Sequence, residues 1–466
     1  MQRLSFQFNN LLGTVYRQGN LVFSNDGSIL YAAVGNRVSG FDLVRSKSFT
    51  FPFEARRNIA RLALSPDGAI LLAVDDEGHL LMANTLRRVV VHHLNLKKRV
   101  SDVKFSPDGK WVAFALGRLV QVWATPTLER SFTPFSLFKT LGGHGDDIIC
   151  LAWSADSLFI ASGGKDLSVR VHSVHRLPGY APPSLTGHRS SVRGVFFSDD
   201  GQTIYAVTRD AALSVWERTD RPDAEAGEVA KARKQAIEEG GPGRGEEAIG
   251  QWWTLTARHY FDKNHARVSS AVLHSGTNML IIGFVTGVFA LYELPSGGTS
   301  DTKGLTGALS NGTSDPLLAA AADNGGLVEV HTLSISEARV DACAVSPSGE
   351  WLAFGCAALG QLLVWEWRSE SYVLKQQGHF AAEVHALAYS PAGSVIATAG
   401  GDNKVKLWSP TTGFCFVTFT GMLDHSHRTA APLHTSFRTR GFSLPAIPHK
   451  RGIVGPQLQP PEQASL

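Results

Sequence analysis

A short turn phrase recurs along this chain at near-constant spacing, and no other feature restricts the fold as strongly. It reads SNDG at Ser24, SPDG at Ser65, SPDG at Ser106, SADS at Ser154, SDDG at Ser198, SPSG at Ser346 and SPAG at Ser390. The first three serines are 41 residues apart, the next two gaps are 48 and 44, and the last is 44. Self-similarity at about 40 residues marks an array of supersecondary units that bury their apolar faces against one another. Ser, Asp, Pro and Gly in this order suit a type I-like turn between two strands. Each phrase follows apolar residues and precedes a β-rich run, as in LALSPDGAILLAV. Each unit is therefore three or four short strands with no helix of its own.

The gap from Ser198 to Ser346 is 148 residues, too long for one unit. A further unit, SSAVLHSGTNMLIIGFVTGVFALYEL, lies inside it with His274 in the serine's place. Eight units in all point to an all-β chain folded as a β-propeller, whose usual range is four to eight blades. The simplest arrangement closes the first seven units into one ring over residues 1–376. Residues 377–420 are then a single extra unit of an incomplete second propeller. One eight-bladed ring is the alternative.

A second set of positions runs in phase with the turns. An Asp follows the turn serine by twelve residues at Asp166, Asp210 and Asp402. A Trp closes the following strand at Trp123, Trp216, Trp365 and Trp408. A Gly-His pair precedes three units, with His144, His188 and His379 lying 22, 22 and 23 residues before the Asp. With these three signals in phase the chain resembles the WD-repeat family. That resemblance implies a hydrogen-bonded chain of His, Ser or Thr, Asp and Trp inside a blade. Only the last unit carries the whole set, as His379, Thr398, Asp402 and Trp408. The unit at Ser154 has His144 and Asp166 but His172 where the Trp would be. The unit at Ser198 has His188, Asp210 and Trp216 but Ala206 in place of the hydroxyl. A buried imidazole between a hydroxyl and a carboxylate looks like catalytic machinery, but here it repeats once per blade, as a structural staple does.

Composition bears on partners. The formal net charge is only +3, and the segment 421–466, with five basic and two acidic side chains, accounts for all of it. Residues 1–420 are thus neutral on balance, unlike a strongly basic RNA-binding domain. The run RRVVVHHLNLKKRV carries Arg87, Arg88, Lys97, Lys98 and Arg99, read as a solvated blade edge, with an RNA-backbone or acidic-protein contact as the alternative. His92 and His93 in it read as surface residues rather than metal ligands. The four cysteines, Cys150, Cys343, Cys356 and Cys415, form no CxxC pair and read as buried apolar residues of an intracellular protein. No phosphate-loop, GxSxG or HExxH motif occurs. No run of apolar residues is long enough to span a membrane, and the N-terminus lacks the apolar stretch of a secretory signal. No catalytic, cofactor-binding or metal-binding residue is assigned, and no small-molecule substrate or membrane partner is expected. Residues 217–250 are charged and alanine-rich and read as a disordered loop with one exposed helix over 225–239. Residues 296–326 are Gly/Ser/Thr-rich and read as a flexible insertion. The segment 421–466 has no turn phrase and reads as a disordered tail, such as a splice variant or a truncated gene model would give.

Three stretches narrow the resemblance. FQFNNLLGTVYRQGNLVFSNDG at 6–27, GEWLAFGCAALGQLLVWEWRSESYVLKQQGHF at 349–380 and GFCFVTFT at 413–420 are similar to a branch of WD-repeat proteins that works in ribosome biogenesis. The likeness departs at 296–326 and after Thr420. It implies a nucleolar, non-catalytic scaffold with tandem propellers. Its partners would be other WD-repeat proteins of the small-subunit processome, and U3 small nucleolar RNA and pre-ribosomal RNA within that particle. A general protein-interaction adaptor, such as a ubiquitin-ligase substrate receptor or a coat subunit, is the alternative.

Overall fold

A computed structural model describes residues 8–126, 134–175, 180–218, 253–261, 266–294, 327–379 and 383–420. They form eight four-stranded antiparallel sheets, each continuous in sequence and ordered first strand to fourth. The sheets span residues 21–50, 59–95, 102–141, 148–185, 192–260, 268–334, 342–377 and 384–420. The only helical elements among the described residues are two single 3-10 turns, Ser275–Thr277 and Ala357–Leu359.

The recurring phrase sits between the first and second strands of each sheet and makes the same bonds each time. At Ser65, the Gly68 N–H donates to the serine carbonyl (2.8 Å) and the Ile70 N–H donates to its hydroxyl oxygen (2.9 Å). The hydroxyl in turn donates to Asp67. At Ser106 the hydroxyl donates to Asp108 (2.6 Å) and accepts from the Trp111 N–H (2.9 Å). The fourth position needs a positive φ, +72° at both Gly68 and Gly109, which glycine adopts without a Cβ penalty. Where glycine is absent, Ser157 and Asn278 take φ of +60° and +50°. In the sixth sheet, His274 bonds Thr277 Oγ1 (2.8 Å) and reaches the Pro347 carbonyl of the next turn (3.1 Å).

Seven of the sheets are blades of one ring. Each neighbouring pair shares an apolar core: Tyr31 and Val38 with Ile59 and Leu71; Leu72 with Val103 and Val112; Ala113 and Val120 with Ile160. The series continues with Ala161 against Ile204, Leu213 against Leu280, and Ile281 against Leu352. The seventh core, Leu30 and Phe41 against Ala353 and Val364, joins blade 7 to blade 1 and closes the ring. Because no sheet borrows a strand from a distant part of the chain, closure rests on packing. The first strands of all seven blades line a central channel of about 600 Å³, and no residue of the eighth sheet reaches it.

The stretch from Phe8 to Asn20 braces this junction. Tyr16 is buried against blade 7, where a Cβ on Gly355 would lie 2.5 Å from its ring, and its hydroxyl donates to the Gly19 carbonyl (2.6 Å). Gly13, at φ +69°, lets the chain pass the Trp408 ring of the eighth sheet, which a Cβ there would meet at 3.2 Å. Asn10 donates to the Ser48 carbonyl of blade 1 (2.9 Å), and the Ser48 N–H donates to the Thr412 carbonyl of the eighth sheet (2.7 Å). Phe414 then stacks on Phe41, centroids 6.2 Å apart. The eighth sheet is thereby held outside the ring, and all eight sheets belong to one compact unit.

One expectation changes. The third strand of blade 5 runs to Arg218, past the expected start of the 217–250 insertion. The rest of that insertion, its helix at 225–239, the insertion at 296–326 and the tail at 421–466 lie outside the described residues.

Candidate functional site

The polar chains implied by the repeat differ in each of the three units that carry a Gly-His pair. In the eighth sheet, His379 Nδ1 meets Asp402 Oδ1 at 2.9 Å and Nε2 meets Thr398 Oγ1 at 2.8 Å. The same hydroxyl oxygen receives the Trp408 indole N–H at 2.7 Å. All four side chains join strands two and three to the loop that enters the sheet. Burial, the largest single influence, raises the pKa of Asp402. The bond and charge of His379, aided by the Lys404 N–H, outweigh it and hold the carboxyl below its ordinary value.

Blade 4 keeps three of the four groups. His144 Nδ1 meets Asp166 Oδ2 (2.9 Å) and Nε2 meets Ser162 Oγ (2.8 Å), with the Gly145 N–H adding a second contact to the carboxylate. Burial pushes the His144 imidazole below its ordinary value against the pull of Asp166. His172 stands where the Trp would be. It is buried, its Nε2 has no partner, and burial pushes its pKa down to about 4, helped by the charges of His144, Arg170 and Lys139.

In blade 5 the chain is broken. Ala206 offers no hydroxyl, so His188 Nε2 and Trp216 Nε1 are both buried without partners. His188 Nδ1 reaches Ser214 Oγ at a long 3.4 Å. Asp210 does not meet His188, because the Thr208 hydroxyl donates to it instead. The expected role of Asp210 in this chain is corrected accordingly. Burial, with Arg258 opposing a positive charge, pushes His188 down to about 4. In all three units the imidazole side chain is almost wholly buried inside its sheet, where the arrangement orders strands.

Two other residues depart from expectation. His92 is buried, with its ring edge-on to Phe135 of blade 3 at 6.5 Å, while His93 is exposed. The alternation of an outer strand turns only one of the pair to solvent. Cys415 is half-buried, unlike Cys150, Cys343 and Cys356. Arg87, Arg88, Lys97, Lys98 and Arg99 are all exposed along the second blade, with Arg88 over the Phe49 ring at 3.7 Å. Among the described residues no cluster of three or more His, Cys, Asp or Glu could hold a metal ion.

Sequence reasoning missed the channel arginines. The first strands of blades 2, 4, 5 and 6 each bulge at their second residue, at Ala60, Ile149, Arg193 and Ser269. A bulge turns a side chain out of the regular alternation, and in blade 5 the residue is an arginine lining the channel. A lone arginine in an apolar strand carries no repeat signature, and only the pairing register shows its direction.

A closed ring of seven four-stranded blades, six of them with the recurring turn between their first two strands, beside an eighth sheet that carries the full His-Thr-Asp-Trp chain, defines a WD-repeat β-propeller. Residues 84–123, 135–173, 181–217 and 370–409 match the WD40 model, described as WD domain, G-beta repeat. Each match joins the outer strand of one blade to three strands of the next, so the sequence repeat is one strand out of phase with the blade. Periodic tryptophan protein 2 of Saccharomyces cerevisiae is 43% identical over 418 residues, covering 89% of this chain and 41% of that protein. The mouse homolog (Mus musculus) is 37% identical over 90% of this chain and 45% of its own length. The Arabidopsis thaliana protein is 35% identical over 92% of this chain and 48% of its own. The chain is similar to these periodic tryptophan protein 2 relatives over about nine-tenths of its own length and spans a little under half of theirs. A chain in a crystal structure of the mitotic checkpoint complex shares the fold alone, with a TM-score of 0.54 at 14% identity over 78% of this chain and 93% of that one.

Proposed function

We propose that this chain is a non-catalytic scaffold in ribosome biogenesis, a subunit of the small-subunit processome that supports pre-ribosomal RNA processing and small-subunit assembly. The observation that carries this reading is the 35–43% identity to periodic tryptophan protein 2 relatives over about nine-tenths of the chain. The architecture supports it. A packed ring presents loops on two faces and outer strands around its rim, and such rigid surfaces bind partners without chemistry. The imidazole-carboxylate pairs order strands within blade 4 and the eighth sheet, as described above. The partners on this reading are other WD-repeat proteins of the particle, with U3 small nucleolar RNA and pre-ribosomal RNA nearby, and the site of action is the nucleolus within the nucleus.

Sedimentation of tagged chain through a gradient, with RNA probing of the fractions, tests the proposal. Co-migration with large pre-ribosomal particles and U3 RNA is the expected result. A chain confined to light fractions, or one recovered with a ubiquitin ligase or coat complex and no pre-ribosomal RNA, overturns it.

A further inference from the structure

One mouth of the channel gathers positive charge that the protein does not neutralise. Arg193 stands at the bulge that opens the first strand of blade 5, and its Nε is buried with no hydrogen-bond partner. Beside it, the Arg209 N–H donates to the Ser191 carbonyl (2.9 Å), and the Val268 N–H donates to the Arg209 carbonyl (2.9 Å), which brings Arg267 to the same rim. Arg209, Arg267, Ser190 and Asp210 line a recess of about 290 Å³ there. Arg339 enters the channel from the approach to blade 7.

Of the carboxylates nearby, Asp341 meets Arg339, and the others are engaged elsewhere. Asp341 takes Arg339 Nε (3.2 Å) and the Ala357 N–H (2.8 Å). Asp102 takes the Leu151 and Val103 N–H groups (2.9 and 3.0 Å), and Asp210 takes the Thr208 hydroxyl. No carboxylate lies within ion-pair distance of Arg193, Arg209 or Arg267 among the described residues. Burial works against the charge of Arg193, and the charges of Arg209 and Arg339 work against it further. An unpaired, half-buried guanidinium facing two others is costly unless an anion joins it.

We propose that this mouth, formed by Arg193, Arg209, Arg267 and Arg339, is a docking site for an acidic peptide segment of a partner protein, whose carboxylates the guanidiniums receive. Planar guanidiniums match carboxylates in bidentate pairs. Beyond the arginines the channel is walled by the first strands of all seven blades, where Leu62, Val103, Leu151 and Val195 are buried in the cores between blades, so the guanidiniums are what the site offers a peptide. Single-stranded nucleic acid binds through stacking on aromatic rings. The aromatic residues of the channel, Phe23, Phe105 and Phe196, stand near the ends of their strands, at the opposite mouth. The site does not depend on the assembly being ribosomal.

Fluorescence anisotropy of a labelled Asp/Glu-rich peptide, its Asn/Gln counterpart and an oligouridylate, each titrated with the whole chain, tests the site. The acidic peptide binds and the amide peptide does not, and affinity falls as salt rises. Arg193→Gln weakens binding about tenfold, the worth of one charge-assisted hydrogen bond. The exposed pair Arg209→Gln/Arg267→Gln does the same with an unchanged thermal melt, so misfolding does not imitate the result. Equal binding of acidic and amide peptides, no binding of either, or full affinity in the Arg209→Gln/Arg267→Gln protein overturns the proposal. So does arginine-dependent binding of the oligouridylate without binding of the peptide, which assigns the mouth to RNA.

Discussion

The eighth sheet and blade 5 hold their strands together in opposite ways. The eighth sheet has the complete chain of His379, Thr398, Asp402 and Trp408, yet its first strand is open to solvent, with Val384, Leu387 and Tyr389 at 52%, 61% and 62% exposure. Blade 5 has lost the hydroxyl that links its histidine to its tryptophan and carries two buried unpartnered N–H-bearing nitrogens. Its apolar side chains, however, lie between two neighbours, with Val195 and Ile204 in the core shared with blade 4 and Leu213 and Tyr205 in the core shared with blade 6. A blade inside the ring tolerates a broken polar chain because burial on both sides holds its strands in register. A sheet with one flank open depends on hydrogen bonds within itself.

Apolar truncation tests that contrast most severely. Leu213→Ala removes a fully buried side chain and is expected to cost about 2–5 kcal/mol, combining lost burial with the cavity left behind. Leu387→Ala is expected to change stability by less than about 0.5 kcal/mol, as an exposed substitution does. Urea midpoints of the two proteins give the comparison, and equal losses would mean that the eighth sheet is packed as tightly as a ring blade.

Acid separates the regions next. His172 and His188 sit at about 4 in the folded protein against an ordinary 6.5. Above about pH 6.5 both are neutral whether the chain is folded or not. As pH falls from 6.5 toward 4 the unfolded chain binds protons that the folded blades refuse, so ring stability falls across that window and levels below it. At about 1.4 kcal/mol for each tenfold displacement, the two residues together account for a few kcal/mol. Melting temperatures between pH 7 and 4 should show the fall, and His172→Gln with His188→Gln should flatten it. An unchanged slope in the double variant would place the acid sensitivity elsewhere.

The unequal legibility of these parts has a physical cause. Turn serines were readable because one geometry recurs: a hydroxyl accepting the N–H five residues on, an Asp two residues on, and a glycine at positive φ. Trp216, Trp365 and Trp408 stood in the third strands where their spacing put them. The partial loss of the blade 4 and blade 5 chains was visible as His172 and Ala206. What the phrase could not show was any contact between units. The bracing by Asn10, Gly13 and Tyr16 joins residues far apart in sequence, and Asp210 was placed by spacing although Thr208, two residues away, competes for it. His92 and Arg193 are set by alternation and a bulge, which depend on strand register rather than on composition.

The polar chain of the eighth sheet should be worth more there than a ring blade's chain is. Thr398→Val keeps the shape of the side chain but leaves His379 Nε2 and the Trp408 indole N–H unpartnered. The expected cost is about 1–3 kcal/mol, the penalty for stranded buried polar groups. Hydrogen exchange should locate it: amides of 384–420 exchange faster while those of blades 1–7 keep their rates. A loss spread evenly over the ring would mean that the eighth sheet is an integral part of the closure rather than a unit stapled beside it.

The smallest effect runs the other way. Ala206→Ser returns an oxygen to the position that Ser162 and Thr398 occupy in the other two units. It would stand between His188 Nε2 and Trp216 Nε1, both already buried and without partners, so no rearrangement of the nitrogens is needed for a new bond. Ala206 is itself fully buried, which makes the balance narrow. The hydroxyl must be desolvated, and only its pairing with the two nitrogens offsets that cost. The expected gain is about 1 kcal/mol, read as a rise in the urea midpoint with an unchanged slope. It should vanish when Trp216 is replaced by Phe, which keeps the ring and removes the indole donor. A serine that destabilises blade 5 even with Trp216 in place would show that the blade has repacked around its missing hydroxyl, and that its neighbours alone now determine its register.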